Sequence, residues 1–330
     1  MEVLARRWQS SLDSHLRILD EQGKQLALND DLKLYKRTFQ DSWIENWTAP
    51  ADGKFVIEIR DMHLRGGDSF VYYLRVTRTQ PYFELYLDSD KTQLTPGSCG
   101  VLFANVVRKN GFTGEIQLHI DGLPKGVTAV CGRILDGQRD GCIVLEAPAG
   151  APLSIANVIV TGTAMHQVGK EKSSELQVVA SPYQETYQPG GGRGHWPVDT
   201  HAVSVGAPSD ILDVKLSTYA VTLKPGESVK IDVEIVRAAG FNKNVMLDAL
   251  YRHLSSTYAN TLPPGVTIDS KNSKTLLTGK VSKGHITLTA TDKAAPVEKQ
   301  QASIMANISL NFVMKATYSA RPLLVTVTAP

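Results

Sequence analysis

The sequence predicts an all-β chain built from three sandwich modules. Short segments alternate apolar and polar residues with a period of two, Gly/Pro/Asp turns punctuate them, and one module's motif set occurs twice. The 330 residues leave room for more than one domain at about 150 residues each. A hydrophobic content of 42% with 21% charged residues supports packed cores and excludes wholesale disorder. Lys plus Arg total 35 against 33 Asp plus Glu, a balance that argues against a strongly basic nucleic-acid-binding face. No apolar run approaches the roughly 18 residues of a membrane-spanning helix.

The first module, residues 1–80, reads as strands at Glu2 to Ala5, His15 to Leu19, Trp43 to Trp47, Lys54 to Arg60 and Phe70 to Val76. Asp20-Glu21-Gln22-Gly23, Leu28 to Asp31, Pro50 to Gly53 and Arg65 to Asp68 supply the turns. A closed sandwich uses about seven or eight strands, so at least two are expected to be missing before Met1. The opening MEVLARRWQS has no apolar leader.

Leu12 to Ile18 with Asp20, Gly23 and Leu26 to Asp31, then Ala51 to Ile57 and Asp68 to Val76, resembles the bacterial pre-peptidase C-terminal domain. That resemblance implies a partial jelly-roll β-sandwich of the kind appended to secreted proteases and other exported proteins. It places the chain outside the cell or in the cell envelope, with its leader lost upstream.

Two copies of one module follow, in residues 81–165 and 210–330. Leu94-Thr95-Pro96-Gly97 answers Leu223-Lys224-Pro225-Gly226, and twelve residues after each proline stand Arg108 and Arg237. Gly111-Phe112 answers Gly240-Phe241, Leu118 answers Leu247, and Leu123-Pro124-Lys125-Gly126-Val127 answers Leu262-Pro263-Pro264-Gly265-Val266. Gly141 to Ala147 answers Gly284 to Ala290. Val229, Ile231, Val233 and Ile235 alternate with polar neighbours, as a strand with one buried face does. Short strands at this spacing predict an immunoglobulin-like sandwich in each copy. The pattern resembles the Ig-like modules that accompany pre-peptidase C-terminal domains in secreted planctomycete-type proteins.

Residues 166–209 contain the triplet Gly190-Gly191-Gly192 and read as a Gly-rich interdomain segment that leaves the two sandwiches some freedom. The alternative is a binding loop in which Arg193, His195 and Trp196 offer a cation, a titratable ring and a stacking surface. Trp196 is expected to pack on a flanking sandwich.

Four carboxylates, Asp13, Asp30, Asp31 and Asp41, fall on successive turns of the first module and are candidate calcium ligands, since calcium takes several oxygen donors. The competing reading is turn chemistry, in which Asp and Asn side chains bond nearby backbone. His195 and His201 stand six apart, a weak metal signal. Cys131 and Cys142 flank the turn at Asp136-Gly137 and are either a cross-hairpin disulfide or free thiols, with Cys99 the third cysteine. The insertion Asp248 to Leu262 carries Leu250, Leu254 and Tyr258 at helical spacing, so it reads as a short helix or an extended loop. Tyr251 and Arg252, with His253 and Tyr258, form its candidate binding patch; a lid over the sandwich end is the other reading.

No HExxH, GxSxG, P-loop or dinucleotide motif occurs. The expectation is a non-catalytic modular protein of an exported or cell-surface system, acting in adhesion, spacing or targeting on a protein or cell-surface polysaccharide. The alternatives are an accessory region of a secreted peptidase or other hydrolase, or a carbohydrate-binding module.

Overall fold

The computed structural model describes residues 1–35, 37–168, 172–188, 192–208, 210–253, 256–311 and 314–329. Its regular structure is almost wholly β, with one 3-10 turn at Arg6–Trp8. The chain divides into two compact units, Met1–Tyr82 with Arg108–Phe112, and Phe83–Val107 with Thr113–Pro330.

The first unit contains β1 (Glu2–Leu4), β2 (Ser14–Leu19), β3 (Gln25–Asn29), β4 (Leu32–Leu34), β5 (Arg37–Phe39), β6 (Val56–Asp61) and β7 (Tyr73–Arg75). β2 lies between β3 and β6, β1 pairs with β7, and β4 with β5, all antiparallel. Val3, Ala5, Leu12, Leu16, Ile18 and Ile44 make its core. Leu16 and Ile18 are fully buried, yet Ile57, the partner of Ile18, is 36% exposed, so the core thins toward β6. Trp43–Trp47 is not a strand: Trp43 makes one isolated bridge to Glu2, and Asn46 takes a left-handed backbone.

The first repeat comprises β8 (Tyr82–Leu87), β9 (Lys91–Leu94), β10 (Cys99–Lys109), β11 (Ile116–Asp121), β12 (Thr128–Cys131), β13 (Arg133–Ile134), β14 (Asp140–Glu146), β15 (Ser154–Val168), β16 (Lys172–Val179), β17 (Ser181–Gln188), β18 (Gly192–Pro197) and β19 (His201–Val205). One sheet runs β8-β10-β14-β12. The other runs β13-β11-β15-β19-β9, the last pair being parallel.

The second repeat comprises β20 (Ile211–Leu216), β21 (Ala220–Leu223), β22 (Ser228–Arg237), β23 (Val245–Asp248), β24 (Leu250–His253), β25 (Ser256–Asn260), β26 (Val266–Ile268), β27 (Leu276–Leu277), β28 (Lys283–Ala290), β29 (Val297–Ala302), β30 (Met305–Ser309), β31 (Lys315–Ser319) and β32 (Leu323–Val327). One sheet runs β20-β22-β28-β26. Facing it are the strands β27-β23-β30-β31 and a separate sheet β29-β32-β21, in which β21 lies parallel to β32. Both repeats thus share a four-stranded sheet and an opposing sheet whose early short strand runs parallel to the last, the immunoglobulin-like arrangement.

The repeated turns are also repeated in backbone. Gly97 and Gly226 both have φ +82° after Pro, a left-handed position that glycine adopts without a Cβ penalty. Ile231, Val233, Ile286, Leu288, Leu323 and Val325 fill the second core at 0–1% exposure. Each such side chain stabilises by about 1.5–3 kcal/mol relative to exposure.

Two sequence expectations fail. Residues 166–209 are not an interdomain linker. β15 runs on past the sandwich and folds back as β16, β17 and β18 form a second hairpin, and β19 is the closing strand of the first sandwich. Gly190 and Gly191 lie outside the described residues. The insertion at 248–262 is not helical: β24 and β25 pair antiparallel, Leu250 with Asn260 and Tyr251 with Ala259. Leu254, the middle of its helical spacing, lies outside the described residues.

Candidate functional site

The four candidate calcium ligands do not act as a set. Asp41 is fully buried, and its carboxylate caps the 3-10 turn by accepting from the backbone N–H groups of Ala5, Arg6 and Arg7. The Arg7 Nε donates to it as well, at 2.7 Å. A carboxylate spent in this way has no lone pair left to offer an ion. Asp13 accepts from the Gln40 Nε2 at 3.0 Å. Burial, with the nearby charges of Asp30 and Asp13, pushes the Asp31 carboxyl up. The other turn residues follow the turn chemistry: Asp20 accepts from Gln22 and Lys24 N–H, and Asn29 from Trp43 N–H. Among the described residues no three His, Cys, Asp or Glu side chains converge in a geometry that holds a metal.

His201 is fully buried and bonded at both ring nitrogens, to Thr92 Oγ1 and the Ser89 carbonyl, each at 2.9 Å. Burial pushes its pKa down, and neither nitrogen is open to a metal. The three thiols are free. Cys131 stands opposite Ile143, so Cys142, one residue along, points to the other face of the sheet and cannot reach it. Burial pushes the Cys142 thiol up to about 11 and the Cys99 thiol to about 12.

The loop candidates fare differently. The sequence alternates along β18, so His195 and Trp196 take opposite faces. His195 Nε2 sits 2.8 Å from Glu185 Oε2, which also accepts the Tyr258 hydroxyl at 3.0 Å. Tyr258 is 6.0 Å from Tyr251 between ring centroids, and Tyr251 stacks on Phe103 at 5.0 Å and 16°. His195 and Tyr251 therefore meet through Tyr258, one from each repeat. Burial pushes the Tyr251 hydroxyl up to about 12. Trp196 packs on its own hairpin, its Nε1 donating to Thr186 Oγ1 at 3.1 Å, and stays 42% exposed. Arg252 points elsewhere, 3.7 Å from Asp248. The Arg193 side chain lies outside the described residues.

This aromatic cluster belongs to a polar interface between the repeats that the sequence did not announce. Asp140, 6% exposed, accepts from Asn105 Nδ2, from Arg139 Nε and Nη2, and from the Asn260 N–H of the second repeat. Arg139 and Asn105 also donate to the Tyr258 carbonyl. Gln301 of the second repeat donates to the Val130 and Cys142 carbonyls of the first. Phe103, Cys142, Ala259 and Met305 form the apolar part, and β10 meets β31 at Cys99 and Ser319. The one faint sequence signal was Asn105 and Asp140 standing at buried positions in apolar strands.

No protein-family model and no curated protein matches the chain. Among solved structures, domains 4–9 of the surface layer protein SbsC are 12% identical, covering 94% of this chain and 44% of that one, with a TM-score of 0.28. The D0-D1 domain of intimin is 14% identical over 75% of this chain and 95% of that one, at 0.21. Fibronectin(III)-like modules of Clostridium thermocellum CbhA are 12% identical over 74% and 94%, at 0.19. Likenesses of this size carry no argument; the Ig-like assignment rests on the strand pairings.

Proposed function

We propose that the chain is a non-catalytic module of an exported or cell-surface system, in which two Ig-like sandwiches form a stiff pair that holds its loops at a fixed separation for adhesion, spacing or targeting. The observation that supports this most is the Asp140 network, because a buried carboxylate with partners from both repeats is costly to open. The buried polar groups Asp41, Asp140 and His201 are engaged in bonds that hold structure, which favours scaffolding over chemistry. Residues 1–80 fit the role as a pre-peptidase C-terminal-like module of a longer secreted protein.

Small-angle scattering of the full chain tests the stiff pair. One interdomain arrangement should fit the wild-type curve, and Asp140→Ala should need an ensemble. A wild-type curve that already needs an ensemble overturns the reading. A carbohydrate-binding role is favoured by one feature, the exposed indole of Trp196. Glycan-array binding lost in Trp196→Ala would establish it.

A further inference from the structure

We propose that Trp8 and Tyr73 form a platform for an uncharged polysaccharide, on the first compact unit and apart from Trp196. Trp8 is 64% exposed and Tyr73 57%, their ring centroids are 6.3 Å apart, and the ring planes are inclined by 34°. Val71 and Tyr72, the residues before Tyr73, are also more than half exposed. Single exposed apolar residues are ordinary on a surface; two large rings side by side, most of their area open to water, mark a binding patch.

The rings are held in place. Trp8 ends the 3-10 turn Arg6–Trp8, whose start is fixed by the buried Asp41 carboxylate. Gln9, next along, takes a left-handed backbone at φ +67°, which costs free energy in a residue with a Cβ and so marks a constrained position. Arg6 Nη1 donates to the Ser10 carbonyl at 3.1 Å, and the Ser10 hydroxyl and Ser11 N–H both donate to the Ser69 carbonyl. Tyr73 is paired with Leu4 of β1. Side chains on so fixed a backbone lose little freedom on binding.

The surroundings select the ligand. Tyr73 and Arg75 share a face of β7, and Arg75 is bonded to the Glu2 carboxylate, which also accepts from Arg7 at 2.6 Å. Arg7 meets Asp41 at 2.7 Å, so two guanidiniums and two carboxylates neutralise one another. Arg6 Nε donates to Gln40. These cations are engaged by their neighbours, which disfavours an anionic polysaccharide or an anionic lipid surface. A sugar ring presents an apolar C–H face that stacks on an aromatic ring, and hydroxyls that the exposed Gln9 amide and Tyr73 hydroxyl can bond. The proposal names a target for the adhesion reading and rests on it. It does not use the Asp140 interface, so a flexible scattering ensemble would count against the stiff pair alone.

Affinity electrophoresis of the full chain in gels containing hydroxyethyl cellulose, xylan, laminarin or mannan, with alginate as the anionic control, tests the platform. At least one neutral polysaccharide should retard the chain, and the retardation should persist up to about 0.5 M salt. Trp8→Ala and Tyr73→Ala should each weaken binding by about tenfold, and Trp8→Phe, which keeps a ring, by less. Both positions are exposed, and unchanged melting temperatures should show that the variants fold. No retardation by a neutral gel, retardation by alginate alone, or retardation unaffected by Trp8→Ala overturns the proposal. Binding lost in Trp196→Ala but kept in Trp8→Ala also overturns it and assigns the glycan to the other unit. Trp8-dependent capture on phosphatidylcholine vesicles without retardation in any gel overturns it in favour of a lipid surface.

Discussion

Arg237 lies over the ring of Phe241 at 5.4 Å, and at the equivalent place in the first repeat Arg108 lies over Phe112 at 5.3 Å. The pair closes the turn after the second long strand in both copies. A guanidinium on an aromatic face contributes about 0.5–1 kcal/mol at an exposed site. Arg237 adds Nε and Nη2 bonds to the Val281 carbonyl and an Nη1 bond to the Lys243 carbonyl. Arg237→Lys keeps the charge and loses the fork, so urea unfolding should show a loss of about 1–2 kcal/mol. An unchanged midpoint would mean that the fork contributes nothing.

Asp140→Ala leaves Arg139, Asn105 and the Asn260 N–H without their shared acceptor. Breaking a buried pair from one side costs about 3–5 kcal/mol. Calorimetry should show the two repeats, which share this interface, separating into two transitions where the wild type gives one.

Gly126 and Gly265 occupy equivalent turns at φ +85° and +84°. Alanine costs about 1–2 kcal/mol at either for the left-handed backbone alone. At Gly265 the new Cβ would also come within 2.7 Å of the Ala294 Cα, whereas at Gly126 the nearest atom is a Pro148 ring carbon at 3.8 Å. Gly265→Ala should therefore be the more destabilising of two substitutions that the sequence makes look identical.

Maleimide labelling of the native chain at pH 8 should modify Cys131 first. Cys99 and Cys142 are buried, and their raised pKa values leave almost no thiolate at that pH; thiolate appears only as pH climbs toward about 11 to 12. Denaturation should expose three thiols, and a count of one would reveal a disulfide.

Asp41→Asn should destabilise the first unit by about 2–3 kcal/mol, because the amide keeps one acceptor for the turn but loses the Arg7 ion pair and the second oxygen that accepts from Arg7. Added calcium or a chelator should leave the wild-type melting temperature unmoved. A rise with calcium would show that Asp13, Asp30 and Asp31 bind it without Asp41.

The repeat was legible because its marks are local: a Pro-Gly turn and an Arg placed three residues before Gly-Phe constrain nearby backbone directly. The excursion was not. Glycines at 190–192 suggested slack, while the pairing of Tyr183 with Pro197 and Glu185 with His195 depends on partners several residues away across a turn. Leu250 and Tyr258 share a helical face in sequence, yet Tyr251 and Ala259 pair across a hairpin because Phe103 and the Asp140 network lie beneath it. The interface escaped notice for a similar reason. One Asn and one Asp in apolar strands are ordinary singly, and only their meeting across two repeats gives them a role.

The parallel pairing that closes each sandwich bears on how the chain takes load. Ala220 to Leu223 run beside Leu324 to Val327 in four registered pairs, and Lys91 to Leu94 do the same beside Ala202 to Val205. Each such patch joins the second strand of a repeat to its last, and tension along the polypeptide acts parallel to both. Its hydrogen bonds lie across the line of pull and are sheared together, so no single bond can open first and pass the strain to the next. Either sandwich would hold nearly its full length under traction and then yield abruptly.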